Sequence, residues 1–126
     1  MRHQELLAYK KSFALAMEIL EISKNFPKEE VFALTSQIRR SSRAVSSAIA
    51  EAYGKRKYPK HYQSKLTDSD SENLETQTWI EFAQACTYIT KEKEKELTNK
   101  SEEVGKLLNY MMNNPEKFGV KTNIEN

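Results

Sequence analysis

The chain has 126 residues, which is enough for one domain with a hydrophobic core. It contains only 3 Gly and 3 Pro, too few for the many turns of a β-rich protein, and its single cysteine excludes an internal disulfide and favours a reducing, cytoplasmic location. Because no apolar run approaches membrane-spanning length, we expect no contact with a membrane.

The first two predicted elements are helices separated by a short break. Apolar residues recur at spacings of three and four in the first helix and therefore share one of its faces. They are Leu6, Tyr9, Phe13, Ala16, Met17 and Leu20. This helix is expected over about residues 4–24. The second helix is expected within residues 26–57, with Pro27 in its first turn and Gly54 as a left-handed cap. Its apolar stripe consists of Val31, Leu34, Ile38, Val45, Ile49 and Ala52.

Two further helices follow. Pro59 is expected to open the third, which carries two apolar stripes: Tyr62, Leu66, Asn73, Ile80 and Ala83 on one, and Trp79, Phe82, Cys86 and Ile89 on the other. Thr90 is expected to cap the fourth helix, which Asn113-Asn114-Pro115 ends.

Four helices with short connections predict an all-α, up-and-down four-helix bundle over residues 1–115. Residues 116–126 are polar and are predicted to form a frayed tail. The second stripe on the third helix is more than one bundle core buries. We therefore expect a homo-oligomer with Trp79 and Phe82 at its interface.

The charge is concentrated in one part of the chain. Residues 36–65 hold 8 basic and 1 acidic residues, although the whole chain has a net charge of only +2. The basic candidates for contact with an anionic partner are Arg39, Arg40, Arg43, Lys55, Arg56, Lys57 and Lys60. Tyr53, Tyr58 and Tyr62 interleave with the later members of this set, and either stack on bases or cover the end of the bundle.

Acidic residues on the third helix give the arginines an alternative role. Asp68, Glu72 and Glu75 are spaced by four and three residues and therefore share a helix face. Arginine pairs well with carboxylates through its planar guanidinium group. At least one of the three arginines is expected to bond with this acidic face and to be mainly structural, whereas residues 55–57 are expected to be exposed.

We find no pattern that indicates catalysis. His3 and His61 lie in no metal-binding spacing, and Cys86 lies on an apolar stripe, which is typical of a buried, unreactive thiol. No Gly-rich phosphate loop or nucleophile elbow is present. We expect no enzyme activity, no metal and no cofactor.

Several motifs resemble those of the four-helix-bundle family of 23S ribosomal RNA intervening-sequence proteins. The first segment contains Phe26-Pro27, Glu30, Leu34, Gln37-Ile38-Arg39-Arg40 and Ile49-Ala50-Glu51. The second contains Ser64-Lys65-Leu66, Asp68, Glu72, Glu75-Thr76, Trp79 and Phe82-Ala83, and the third contains Glu103-Val104-Gly105-Lys106-Leu107-Leu108. The match covers nearly the whole chain, and its pieces occur in the family order.

This resemblance implies a non-enzymatic bundle that often assembles into rings, commonly pentamers. The family includes the accessory protein of diversity-generating retroelements, which is similar in fold and binds a reverse transcriptase and nucleic acid. The chain departs from the family where Ser46, Ala48 and Ala52 stand at positions that usually hold a proline, an asparagine and a glycine. Without the proline, the second helix is expected to be straighter.

The sequence thus favours a non-catalytic bundle that binds nucleic acid, with RNA preferred over DNA, as a ribonucleoprotein accessory protein. The resemblance also implies a protein partner such as a reverse transcriptase. The alternative is a purely structural or protein-interaction bundle whose arginines pair internally. The two differ in whether the basic side chains face solvent or carboxylates.

Overall fold

The computed structural model describes residues 1–121, which form four α-helices and no β-strand. The helices are α1 (Leu7–Ser23), α2 (Leu34–Gly54), α3 (Pro59–Ala85) and α4 (Lys91–Asn113). Short 3-10 turns cover His3–Glu5, Lys28–Glu30 and Pro115–Phe118. The predicted all-α four-helix bundle is confirmed.

Viewed along the bundle axis, the four helices lie at the corners of a square. Both α2 and α4 pack against α1 and against α3, so α1 and α3 lie at diagonal corners. The core falls into two clusters, one at each end of the bundle. We call the end that contains the α2–α3 loop and the residues after α4 the basic end, and its core includes Leu6, Ile49, Tyr62, Leu108 and Val120. The opposite, far end has a core that includes Ile19, Phe26, Leu34, Ile80 and Leu97.

Helix α2 begins later than the sequence predicted. Lys28–Glu30 form a 3-10 turn, and Ala33 has non-helical angles (φ −125°, ψ −106°). The Glu30 carboxylate accepts a hydrogen bond from the Leu34 backbone N–H (3.2 Å) and one from the Tyr88 hydroxyl (2.8 Å). This side-chain cap satisfies a free donor at the helix start. The predicted stripe residue Val31 therefore precedes the helix and is exposed.

The two predicted cap residues behave differently. The Thr90 hydroxyl accepts from the Lys93 backbone N–H at 3.0 Å and caps α4, as expected. Gly54 is not a left-handed cap, because it is the last residue of α2 and its φ is not positive. Within residues 1–121, Gly119 is the only glycine with a positive φ. The chain leaves α2 through Lys55 (φ −105°, ψ 22°), which a non-glycine residue adopts without strain.

The buried face of α1 differs from the predicted stripe. Phe13 and Met17 are about half-exposed, whereas Ala8, Ser12, Leu15 and Ile19 face the core. Ser12 is accommodated there because its hydroxyl bonds to the Ser46 hydroxyl of α2 at 2.8 Å and to the Tyr9 carbonyl at 3.1 Å.

The start of the C-terminal tail is packed rather than frayed. After the turn at Pro115–Phe118, Gly119 adopts φ +84° and Val120 enters the core at the basic end with 4% of its surface exposed. Two apolar anchors, Phe118 and Val120, account for this packing. The rest of the predicted tail, residues 122–126, lies outside the described residues.

Candidate nucleic-acid interface

The seven basic candidates occupy two separate places. Arg39, Arg40 and Arg43 lie in the first half of α2, and the others lie at the basic end, where Lys55, Arg56 and Lys57 follow α2 and Lys60 begins α3. The two groups differ in exposure and in hydrogen bonding.

Arg40 is paired with acidic residues of α3. Its guanidinium donates to Glu72, with Nη1 3.2 Å from Oε1, and also donates to Glu75. These hydrogen bonds, above all the one to Glu72, raise the pKa of Arg40 above its usual value. The Trp79 indole N–H donates to the same Glu75 carboxylate at 3.1 Å. Asp68, the third predicted partner, is exposed and forms no ion pair within residues 1–121.

The other two arginines have different surroundings. Arg39 is half-buried, and its Nε donates to the Ser23 hydroxyl at 2.7 Å, which ties α2 to the end of α1. Arg43 is exposed and has no hydrogen-bond or ion-pair partner among the described residues. Of the three arginines, Arg43 is therefore the one whose side chain makes no bond within the described residues.

The lysines at the basic end are exposed. Lys55, Lys57 and Lys60 face solvent, and none of them forms an ion pair with a carboxylate in the part of the chain that the structure describes. Their charges are therefore not compensated by the fold at close range.

Arg56 differs from its exposed neighbours and corrects the expectation for residues 55–57. It is half-buried, its Nε donates to the Tyr53 carbonyl at 2.7 Å, and its Cζ lies 3.7 Å from the centre of the Tyr53 ring. Cation–π stacking of this kind holds the guanidinium in place.

Only one of the three interleaved tyrosines is available for stacking. Tyr53 and Tyr62 are buried in the core, and the Tyr62 hydroxyl donates to the Met111 carbonyl at 3.2 Å. Burial raises the pKa of Tyr62 to about 12. Tyr58 is 57% exposed and makes an edge-on contact with His61, with ring centres 5.9 Å apart. Tyr53 and Tyr62 therefore cover the end of the bundle, and Tyr58 is the one whose ring remains exposed.

A cleft beside the lysines was missed by the sequence analysis. It has a volume of about 630 Å³ and is lined by Tyr53, Gly54, Arg56, Lys57, Gly119 and Lys121. Lys121 enters this surface because the packed turn after α4 folds back against the α2–α3 loop. The apolar pair Phe118 and Val120 was the available signal that this segment is anchored.

The predicted interface residues on α3 lie at the surface. Trp79 is half-buried, and Phe82 is 53% exposed, with ring centres 5.8 Å apart. Cys86 is exposed rather than buried, because α3 ends at Ala85 and Cys86 turns outward in the following loop. The sequence reading of Cys86 as a buried residue is therefore wrong.

Within residues 1–121, no group of three histidine, cysteine or acidic side chains could hold a metal ion. His3 and His61 each contact a tyrosine ring, Tyr9 and Tyr58 respectively. None of the helices in this described part of the chain is both long and apolar enough to cross a membrane.

Comparison with known proteins identifies the family. The family model of the 23S rRNA-intervening sequence protein matches residues 4–110. The chain belongs to this family. A crystal structure of a protein of unknown function from the S23 ribosomal protein family of Bacteroides thetaiotaomicron is similar, with 28% identity and a TM-score of 0.78. The alignment covers 90% of this chain and 99% of that one. No match is found among the curated proteins.

Proposed function

We propose that this family member is a non-catalytic RNA-binding bundle that holds the phosphate backbone at its basic end. The observation that carries the proposal is the exposure of Lys55, Lys57 and Lys60 without a carboxylate partner among the described residues. Lysines that neutralise phosphates release counterions, which is the main source of sequence-independent affinity for nucleic acid. The reference to 23S rRNA in the family description supports RNA as the nucleic acid.

Tyr58 supports contact with unpaired bases. It lies between Lys57 and Lys60 in the chain, and its ring is exposed. Exposed aromatic rings beside a cationic surface stack on the bases of single strands, with about 1–3 kcal/mol per stacked base. We therefore propose a single-stranded RNA segment as the ligand, with stacking on Tyr58.

A salt-dependent titration tests the proposal. Binding of a fluorescent single-stranded RNA is measured by anisotropy at several salt concentrations, for the wild type and for Lys55→Ala/Lys57→Ala/Lys60→Ala. Arg56 is left intact because it stacks on Tyr53. If each lysine contacts one phosphate, the triple substitution reduces the slope of log K against log salt by about 2, since each contact on a single strand contributes about 0.7.

The matched control removes the same charge at the far end. Lys28, Lys91 and Lys95 are exposed and form no ion pair within residues 1–121, and their triple alanine variant should bind RNA like the wild type. Equal loss of affinity in both triple variants would indicate a non-specific charge effect. Absence of RNA binding by the wild type would reject the proposed function.

The alternative is a structural or protein-interaction bundle. The pairing of Arg40 with Glu72 and Glu75, and the bond from Arg39 to Ser23, favour it for these two arginines. We therefore place Arg43, and not Arg39 or Arg40, among the RNA contacts. A homo-oligomer, for which the family resemblance favours a pentamer, is compatible with both candidate functions, as is a protein partner such as a reverse transcriptase.

A further inference from the structure

We infer that the cleft between the end of α2 and the turn after α4 is a phosphate-binding subsite that takes one phosphate group of the RNA. This inference deepens the proposed function and rests on it. Its cationic residues are Arg56, Lys57 and Lys121, and no carboxylate lines it. The volume of about 630 Å³ lies within the range of about 300–1,000 Å³ that is usual for small-ligand pockets, so a phosphate can enter with its nucleoside.

Arg56 is preorganised for an anion. Its Nε is bonded to the Tyr53 carbonyl and its Cζ lies over the Tyr53 ring, which fixes the plane of the guanidinium. The two terminal nitrogens, Nη1 and Nη2, have no acceptor among the described residues. A held guanidinium with free donors can bind a phosphate through two parallel hydrogen bonds, and little side-chain entropy is lost on binding.

Gly119 gives the cleft its second wall. Its φ of +84° favours glycine, and a Cβ added there would lie 3.2 Å from Arg56 Nη1. The glycine therefore permits both the turn and the close approach of Arg56. The wall is fixed from behind, because Val120 is buried and its N–H donates to the Pro115 carbonyl at 3.2 Å.

The position of Lys121 completes the argument. It follows Arg56 by 65 positions in the chain, yet it lines the same cleft. Lys117, in the same turn, instead donates to the Tyr110 hydroxyl at 3.0 Å and does not line the cleft. This hydrogen bond raises the pKa of Lys117, so Lys117 stays charged at neutral pH. The two lysines form a matched pair with the same charge and different surroundings.

The first test compares variants in the RNA titration. Lys121→Ala should weaken binding and reduce the salt slope by about 0.7, whereas Lys117→Ala should leave both unchanged. Arg56→Lys keeps the charge but removes the planar pair of donors, so it should weaken binding by about tenfold with an unchanged salt slope. Circular dichroism melting of each variant confirms that the fold is retained. Equal behaviour of the Lys121 and Lys117 variants, together with wild-type affinity in Arg56→Lys, overturns the subsite.

The second test detects the phosphate directly, without relying on RNA affinity. Titration of the ¹⁵N-labelled protein with adenosine monophosphate should shift the amide signals of Gly119 and Lys121 and the Arg56 side-chain Nε–H signal, and adenosine alone should not. If the wild type binds RNA but these signals do not move with the nucleotide or with RNA, the subsite is wrong and the proposed function stands. If the nucleotide shifts these signals but no RNA binds, the subsite stands as an anion site and the RNA function fails.

The source of the phosphate is resolved with two RNAs of identical sequence, one with a 5′-terminal phosphate and one with a 5′-hydroxyl. Tighter binding of the phosphorylated RNA, lost in Lys121→Ala, assigns a terminal phosphomonoester to the cleft. Equal binding of both RNAs by the wild type, with the same loss in Lys121→Ala, assigns an internal phosphodiester.

Discussion

At the scale of single residues, similar basic side chains have different roles because of their neighbours. Arg40 and Arg43 are three positions apart on α2, yet Arg40 meets two carboxylates of α3 and Arg43 meets none within the described chain. The sequence predicts that at least one arginine of this cluster bonds with the acidic face of α3. It could not select Arg40, because the choice depends on the rotation of α2 against α3.

The Arg40 pair should contribute modestly to stability. The side chain of Arg40 is 45% exposed, so solvent screens the interaction and the penalty for an uncompensated buried charge does not apply. Arg40→Ala should therefore lower the free energy of unfolding by about 1 kcal/mol, measured by urea denaturation. Arg43→Ala is the control and should change it by less than about 0.5 kcal/mol. A loss of several kcal/mol in Arg40→Ala would contradict this interpretation.

A buried polar residue on α3 should matter more than the exposed arginine. Asn73 Nδ2 donates to the Ser101 carbonyl at 2.8 Å, and the Ser101 hydroxyl donates to Asn73 Oδ1 at 2.8 Å. Asn73→Ala removes both bonds in a dry environment and should cost about 1–3 kcal/mol in a urea titration. Asn99→Ala, at an exposed position of α4, is the control. A cost no larger than that of the control would show that water replaces the lost bonds.

At the scale of the elements, small polar residues explain what the apolar pattern did not predict. The face of α2 towards its neighbours carries Ser41, Ser42 and Ser46, and all three are buried. Ser41 bonds to Thr76 of α3, and Ser46 bonds to Ser12 of α1, each at 2.8 Å. Apolar periodicity located the helices, but it assigned the core face of α1 to Phe13 and Met17. It missed Ser12, because a buried serine whose hydroxyl bonds to a neighbouring helix does not add to an apolar pattern.

The turn after α4 should stabilise the bundle. Val120 is packed with the core residues of the basic end, so Val120→Ala should lower the free energy of unfolding by about 1.5 kcal/mol, the value of about two methylene groups at about 0.8 kcal/mol each. Lys121→Ala provides the neighbouring control, because Lys121 is exposed. Thermal melting of both variants checks the prediction, and an unchanged melting temperature in Val120→Ala would mean that the turn is frayed in solution.

The ion pairs of Glu96 on α4 should make the stability of the protein depend on pH. Glu18 of α1 accepts from Lys100 of α4 at 2.7 Å, and Glu96 accepts from Lys93 (3.0 Å) and Lys100 (3.2 Å). These bonds, chiefly the one from Lys93, lower the pKa of Glu96. Because the pKa is lower in the folded than in the unfolded state, the stabilisation is present above the unfolded value and is lost as pH falls through the folded value.

This dependence is measurable by melting the protein from about pH 6 to about pH 3, the region in which glutamates titrate. The melting temperature of Glu96→Gln should fall less on acidification than that of the wild type. Glu92→Gln, on the same helix and exposed, should follow the wild type. Parallel melting curves for the wild type and Glu96→Gln would show that the network contributes nothing in solution.

At the scale of the whole molecule, the distribution of exposed apolar side chains indicates how copies could associate. Phe13 and Met17 of α1 border an open groove between α1 and α2, and Phe82 lies on α3, at the diagonal corner of the bundle. Phe32, which precedes α2, is 93% exposed. Two different patches on opposite corners suit a head-to-tail contact better than a two-fold contact between identical patches, and such a contact forms a ring when the rotation between neighbouring copies closes.

We therefore expect light scattering at micromolar concentration to give a mass well above the 14.6 kDa of one chain. Phe82→Glu places a charge in the α3 patch, and Phe13→Glu places one in the α1 patch. In a head-to-tail ring each interface uses both patches, so either substitution alone should shift the protein towards monomer.

Mixing the two variants should restore only one good interface per pair, so their mixture should stop at a dimer. Lys106 is exposed on α4, and Lys106→Glu changes the net charge by more than either phenylalanine substitution does. This control should leave the assembly intact. A monodisperse wild-type monomer would refute oligomerisation, and a dimer broken by only one of the two substitutions would refute the head-to-tail arrangement.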